Sequence, residues 1–517
     1  MAVVGGGIAG LAAAWELTGG ASGPASDTPS VIVFEAEGRL GGKIRSDAFA
    51  GLSVDTGPDA FLGRRPEAAA LCTEIGLGDE LVAIAASGAA VWSRGRPRAL
   101  PDGVIFGVPT RLWPLARSGI LGLGGTLRAS LDVVLPRPPA RGPIGDRAIG
   151  PLIAHKLGRS VVDALVDPLV GGIHAGGVAD MSTAAVNPLL LAVAQRRASF
   201  MKSLRHAVAR EVPGAPRNNH DAGDPPDAFE DHPTEATPPE DDDRGESPLF
   251  WALRGGLGSL VDRLERQLVA RSVTIRTHCP IEALRSEETD GAPWVLESPD
   301  GPVPVDGIVL ALPAGPAAVL LDPHDTDATT LLGGIEYASV AIVTLAYPES
   351  SAARALTGTG MLVPRGCPPP AGVAVSGPLM VTACSYLSNK WPHLAREGEV
   401  LVRASVGHID DERFITLSDE ELTSRVVAEL SVLVGLGGEP TASAVTRWPD
   451  SFPQYRVHHL LRVTGIEAAV KRLPALAVAG AAYRGLGIPA CIASGRTAAH
   501  AVLDALAGTP DTAAPGP

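Results

Sequence analysis

The strongest constraint on this chain lies in its first ten residues. Ala2-Val3-Val4 is a short apolar run that enters Gly5-Gly6-Gly7-Ile8-Ala9-Gly10, and an Ala-rich helical stretch, Leu11 to Leu17, follows. A glycine turn between a buried strand and a helix has a specific use. Gly5 permits the tight turn, Gly7 lets main chain approach a pyrophosphate, and Gly10 lets helix and strand pack closely. The helix N-terminus adds N–H groups and partial positive charge for the phosphates. A polar loop leads to a second strand, Val31 to Phe34, and then to Glu35, placed to accept hydrogen bonds from a ribose diol. This βαβ unit points to a nucleotide. Only three strand residues precede Gly5, so either the true start lies upstream or the first strand is weak.

The next segments separate flavin from nicotinamide. In Glu35-Ala36-Glu37-Gly38-Arg39-Leu40-Gly41-Gly42-Lys43, Arg39 follows Glu35 by one helical turn and a second glycine pair comes after it. Arg39 is expected to reinforce phosphate binding, with a solvated surface charge as the plainer alternative. Gly41-Gly42 lets main chain lie against a flat ring. A further segment, Gly51 to Asp55 and then Gly57-Pro58, reads as a strand ending in a turn. A nicotinamide dehydrogenase has no use for this extension, whereas an extended, buried FAD does. Near the C-terminus, Ala479-Gly480-Ala481-Ala482 and Gly485-Leu486-Gly487-Ile488-Pro489-Ala490-Cys491 read as a strand, a glycine loop and a helix start. Their N–H groups suit the flavin pyrimidine edge, where reduced flavin gathers negative charge. Close packing alone is the alternative. Cys491 reads as a small buried filler rather than a redox thiol.

Composition narrows the class. Over 517 residues there is room for two to four domains, and 4% aromatics with a formal charge of −14 argue against a nucleic-acid partner. The charge is concentrated: 12 acids and 2 bases fall between Glu211 and Ser247. The stretch 213–248, rich in Pro, Asp and Glu and poor in large apolar residues, is expected to be a disordered insertion. Five scattered cysteines fit neither a disulfide framework nor a zinc site. No secretory signal or transmembrane run is visible, so the expected location is the cytoplasm, with peripheral membrane contact left open. Helices are expected at Glu67–Ile75, Gly119–Val134, Ala148–Leu169, Leu257–Ala270, Asp419–Leu433 and Ile492–Ala507. Strands are expected at Val273–Arg276, Val295–Glu297, Gly307–Leu312, Ser339–Tyr347, Leu379–Tyr386, Val400–Val406 and Leu476–Ala479. Trp113 with Leu112, Leu115 and Ile120 reads first as core packing and second as a membrane-facing patch.

Together these segments resemble the flavin amine oxidase and porphyrinogen oxidase superfamily. Gly57-Pro58-Asp59-Ala60-Phe61-Leu62, Asp167 to Gly176, Asn389-Lys390-Trp391-Pro392, Arg447-Trp448-Pro449 with Pro453-Gln454-Tyr455, and Gly485 to Pro489 are similar to porphyrinogen oxidase motifs, most like the bacterial coproporphyrinogen III oxidase type. The resemblance implies a discontinuous, Rossmann-like α/β FAD-binding domain (1–95, 249–312 and 440–510). It also implies a helical lobe at the substrate entrance (96–210) and a mixed-sheet α+β substrate domain (313–439). It implies FAD contacts at the Gly5–Gly10 loop, Glu35, Lys43 and the Gly57–Ala60 turn, with Ile281 beside the adenine, Trp448 near the cofactor, and Gly487, Ile488 and Pro489 walling the flavin. Ala490 departs from several relatives, which carry Asp there.

The implied reaction is oxidation of coproporphyrinogen III by O2, releasing H2O2, with protoporphyrinogen IX as the close alternative and an amine oxidase or carotenoid desaturase as distant ones. Transient contact with the next heme-pathway enzyme is a further expectation. A meso methylene between pyrroles donates hydride readily to flavin N5, so no catalytic triad is needed and no metal is expected. The protein must hold a flat ring and exclude water. Propionates need cations at the rim. Arg64 and Arg65 are the first candidates and Lys390 the next, each with a plain surface charge as the alternative. Gly172 and His174 lie in a glycine-rich loop that is a candidate for substrate contact, although a satisfied loop histidine is the simpler reading.

Overall fold

Three residues make an adequate first strand here because it lies inside a sheet. In the computed structural model, Ala2–Val4 pairs in parallel with Ile32–Phe34 on one side and Ile308–Leu310 on the other. Thr274–Arg276 and Leu476–Val478 complete a five-stranded, all-parallel sheet. Alternation along the strands feeds two cores. Val3, Val33, Val309 and Ala477 face the helices Ile8–Leu17 and Ile488–Ala507, whereas Ala2, Val4, Phe34, Ile308 and Leu310 face the opposite side. The structure describes residues 1–26, 28–135, 145–211, 248–286, 293–370 and 375–508. The expected acidic insertion at 213–248 lies outside the described residues except for Pro248.

The second large layer is a seven-stranded sheet, ordered Ala442–Pro453, Tyr337–Pro348, Glu399–Val406, Val381–Tyr386, Gly360–Leu362, Ala90–Ser93, Arg96–Ala99. Its pairs are antiparallel except Gly360–Leu362 with Ala90–Ser93. Ala442–Pro453 reads poorly as a strand because it contains Pro449. It is tolerated at the sheet edge, where a missing N–H breaks no ladder. The helix Asp419–Leu433 covers one face through Leu422, Val426, Leu430 and Leu433 and opens with a Ser418–Glu421 capping box.

Helices fill most of the region from Leu112 to Glu211. One expected helix starts late and another is interrupted. The helix expected at Gly119–Val134 begins at Gly122 and is preceded by a separate helix, Leu112–Ser118, the two divided by Gly119 and Gly122, both at positive φ. The patch suggested by the sequence is divided: Leu115 and Ile120 are core, Leu112 is half-buried, and only Trp113 faces out. The one expected over Ala148–Leu169 stops at Leu157, since Gly158 has φ 102°, and resumes as a short turn. It then widens into a π-helix, Val162–Gly171, that accommodates Pro168, a residue with no N–H to give. Helical and sheet regions are thus each assembled from discontinuous stretches of chain in a mixed α/β architecture.

Candidate cofactor and substrate site

The glycine turn is organised by main chain and one carboxylate. Gly5 N–H donates to Phe34 O at 2.8 Å and Gly41 N–H to Gly6 O at 2.8 Å. The two Glu35 carboxylate oxygens accept from Gly6 N–H and Glu37 N–H, each at 2.8 Å. A Cβ on Gly10 would lie 1.9 Å from Gly5 O, so no larger residue fits that crossing. A Cβ on Gly7 would meet nothing within 4 Å, whereas one on Gly42 would lie 3.3 Å from Gly7 Cα. The two glycine turns therefore face each other, with open space on the Gly7 side. Gly7 caps the Ile8–Leu17 helix without a side-chain bond, which leaves the first-turn N–H groups for an anion. Ala36 is exposed, and Ile281 is half-buried just beyond Cys279, whose N–H donates to Glu35 O at 2.9 Å.

Arg39 is placed otherwise than expected. Its guanidinium donates to the carbonyls of Leu40, Ile44 and Gly42, the last at 2.6 Å, and so braces the second glycine turn. Lys43 is the cation that points onward. It keeps accessible surface in a recess whose walls lower its pKa by burial, an effect partly offset by Cys491 and Asp450.

Those two neighbours show how the chain ends meet. The Ile488–Ala507 helix crosses the Ile8–Leu17 helix so closely that a Cβ on Gly495 would lie 2.0 Å from Ala9 O. This helix begins at Ile488 rather than Ile492, so Gly487 is its cap and Ile488 and Pro489 form its first turn. Gly487 also has no capping side chain, which gives a second uncapped helix start toward the Lys43 recess. Cys491 is buried with its thiol against the Gly485 and Leu486 carbonyls, and burial pushes its pKa up to about 12. It is a filler, as its surroundings in the sequence suggested.

The Gly57–Ala60 turn is held by buried charge. Asp59 bridges Lys390 at 2.8 Å and Arg403 at 3.0 Å and also accepts from the Trp391 indole. Burial alone would raise the Asp59 pKa, but the two cations outweigh it and drive it well below the carboxylate range. Arg403 also donates to Asp55 O and Gly57 O, and Trp448 donates to Thr56 O at 2.8 Å while its ring lies against Gly57. Pro58 and Ala60 are half-buried between these anchors. Two expectations are corrected. The Asp59 side chain faces these cations, and Lys390 is half-buried against that acid, where neutralisation outweighs exposure at a rim. Arg65 is exposed and pairs with Glu67 at 3.6 Å, whereas Arg64 is exposed with no ion pair among the described residues.

The Gly171–Gly176 loop closes the other side. Gly172 is exposed with open space where a Cβ would stand. His174 Nδ1 lies 2.9 Å from Val170 O, so that nitrogen carries the proton, and burial lowers the ring's pKa. That bond satisfies its Nδ1 within the loop. Gln454 donates to His174 O, and the adjacent Tyr455 hydroxyl donates to Ala481 O at 2.6 Å. One corner thereby joins the loop to the C-terminal glycine segment. Ala175, Val340, Ile409 and Trp448 form an apolar wall between them. Asp167, within the π-helix, makes a two-pronged pair with Arg365 at 2.8 and 3.0 Å, which pins the loop to the seven-stranded sheet.

Two uncapped helix starts, paired glycine turns and an apolar wall suit a dinucleotide carrying a flat ring. Residues 8–503 match the profile of the flavin-containing amine oxidoreductases. The chain belongs to that family. As a member it is an oxidoreductase of the flavin amine oxidase superfamily, whose members use flavin. It is 35% identical over 516 residues to the coproporphyrinogen III oxidase of Propionibacterium freudenreichii, covering 99% of this chain and 92% of that one. It is 30% identical to the enzyme of the same name from Bacillus subtilis, covering 98% and 97%. A solved structure, a putative protoporphyrinogen oxidase from Exiguobacterium, superposes with a TM-score of 0.79 at 28% identity, covering 97% of this chain and 98% of that one. Gln454 falls in the motif Pro453-Gln454-Tyr455 that the sequence already offered. Arg403 and Arg365 were not singled out from the sequence: each sits far along the chain from its partner, and no spacing rule reports it.

Proposed function

We propose that this protein is an FAD-dependent oxidase that converts coproporphyrinogen III to coproporphyrin III in heme biosynthesis, consuming three O2 and releasing three H2O2. The observation that carries this reading is its end-to-end kinship with coproporphyrinogen III oxidases, combined with a site whose parts suit FAD. Bound FAD would supply hydride acceptance from the substrate and reoxidation by O2, six electrons in three rounds. The chain's own residues bind and orient. Gly5–Gly10 and the Ile8–Leu17 helix start hold the pyrophosphate; Glu35 and Ala36 hold the ribose; Ile281 flanks the adenine. Gly41, Gly42 and Lys43, with Gly57–Ala60, Trp448 and Gly487–Pro489, enclose the ring, and Arg39 braces the second turn.

The apolar wall of Ala175, Val340, Ile409 and Trp448 excludes water from the reacting face. Arg64 and Gly172 stand at the substrate side, and Arg64 is the cation left for a propionate. In this reading the parallel sheet belongs to a Rossmann-like FAD domain, and residues 96–210 shape the entrance. Ala90–Ser93, Arg96–Ala99 and Ala442–Pro453 pair into the seven-stranded sheet, which this reading gives to the substrate domain. The reading places the enzyme in the cytoplasm, delivering its product to the next heme-pathway enzyme. Among the described residues no helix is long and apolar enough to cross a membrane.

Protoporphyrinogen IX is the second reading, favoured by the Exiguobacterium structure. The test is direct. Purified protein carries about one FAD per chain, read by absorbance, and produces H2O2 faster from coproporphyrinogen III than from protoporphyrinogen IX. Colourless protein that takes up no FAD refutes the oxidase reading; equal or reversed rates refute the substrate preference.

A further inference from the structure

The strand Ala442–Pro453 leaves its ladder at one point. Its pairing with Tyr337–Pro348 sets Trp448 opposite Val340 and Phe452 opposite Ala338, so Pro449, Asp450 and Ser451 share the single partner Ser339. This is a bulge, and Asp450 is its middle residue, with φ 43°. Aspartate tolerates that left-handed conformation better than most side chains, and here Asp450 N–H donates to Ser339 Oγ at 3.1 Å. A bulge turns a side chain out of the ladder and re-aims it.

Its neighbours show where Asp450 is aimed. Trp448 and Phe452, on either side of the bulge, both pack in the apolar wall with Ala175, Val340 and Ile409. The Asp450 carboxylate is exposed and has no hydrogen bond or ion pair among the described residues. Its charge nonetheless reaches groups on two other elements. Burial raises the Tyr337 pKa and Asp450 adds to the rise; burial lowers the Lys43 pKa, and Cys491 and Asp450 oppose the fall. Tyr337 Oη accepts from Ala314 N–H at 2.8 Å, just beyond the parallel strand Ile308–Leu310. An unpartnered carboxylate thus stands at the apolar wall, on the side that Lys43 and Tyr337 share.

We propose that Asp450 is the proton acceptor of porphyrinogen oxidation, an inference that rests on the substrate reading given above. Loss of hydride from a meso carbon carries the C–H electron pair to the bound flavin and leaves the macrocycle cationic. A pyrrole N–H bond then breaks, its electron pair stays on the nitrogen, and the proton passes to an Asp450 oxygen. Conversion of O2 to H2O2 takes two electrons and two protons. The transferred hydride supplies both electrons and one proton, and Asp450 returns the other. The carboxylate is therefore restored for each of the three rounds. Before the proton leaves, its negative charge also stabilises the cationic ring.

Anaerobic stopped-flow reduction tests it, using the full-length flavin-loaded protein. Coproporphyrinogen III bleaches the flavin absorbance of the wild type. In D450N the bleaching slows roughly a hundredfold, while flavin content, thermal midpoint and binding of coproporphyrin III, read by fluorescence quenching, match the wild type. D450G, which suits the positive φ without a side chain, is equally slow and is accelerated by added formate, an acceptor that replaces the missing carboxylate. The inference is overturned if D450N bleaches at the wild-type rate. It is also overturned if formate fails to accelerate D450G, which would make the residue a brace for the bulge. If no porphyrinogen bleaches the wild type, the substrate reading itself falls and takes this inference with it.

Discussion

Two turns bring main chain against the Gly42–Lys43 segment by different physics. The Gly5–Gly10 turn is shaped by missing side chains and by Glu35, all within the first 35 residues. The Gly57–Ala60 turn is held by a buried acid between two cations more than 300 positions away. The first turn is steric, with local causes. The second is electrostatic, and it ties the parallel sheet's neighbourhood to the seven-stranded sheet through Arg403. A cofactor bound across both turns would rest on one element that cannot shift without clashing and on another that loosens when its charge is disturbed.

The largest expected effect attacks the steric turn. G10V drives a side chain into Gly5 O, and no soluble, flavin-carrying protein should be recovered on purification. Near-normal yield and flavin content would break the comparison. Next, D59N leaves Arg403 buried and Lys390 half-buried without their acid and should lower unfolding free energy by about 3–5 kcal/mol in urea titration. K390M should cost less, because Asp59 keeps Arg403 and the Trp391 indole. If K390M is the worse of the two, the triad is not organised around Asp59.

E35Q is smaller still. One amide oxygen replaces two acceptors, so it should cost about 1 kcal/mol and weaken FAD binding by roughly tenfold, measured by titration of apoprotein. The smallest effect is a pH dependence. Asp55 is buried, and burial pushes its pKa up to about 6 against the hydrogen bonds from Ser46 and Leu257. An acid with a raised folded pKa contributes most when protonated and loses stability as pH rises through that value. D55N keeps an acceptor and cannot ionise, so its thermal midpoint should gain on the wild type from about pH 4 to about pH 7 and no further above that. A constant difference would show that Asp55 ionises freely.

This contrast also explains what the sequence could reveal. The βαβ unit was legible because strand, glycines and terminal acid are contiguous, and Asp419–Leu433 because its apolar period and capping box lie together. The strand Ala442–Pro453 was hidden by its prolines, which only an edge position makes harmless. The continuous helix expected over Ala148–Leu169 carried its own breaks, Gly158 and Pro168, yet whether Pro168 bends or ends a helix depends on what packs around it. In the site, the glycine turns and Glu35 were readable. Arg39 and Lys390 were recognised as important but given the wrong partners, because a charge in a sequence does not announce which distant carbonyl or carboxylate will claim it.

The crossing at Gly495 and Ala9 has a bearing on synthesis. The parallel sheet takes strands from residues 2 through 478; its first strand must wait for Ile308–Leu310 before both neighbours exist, and the helix that follows it must wait for Ile488–Ala507. Until Leu476–Val478 is made, a nascent chain on the ribosome holds an incomplete sheet, with long-range pairing still to come and apolar surface uncovered. Chaperone protection during translation, and sensitivity to stop codons even in the final few dozen positions, follow from where those two glycine-flanked helices touch.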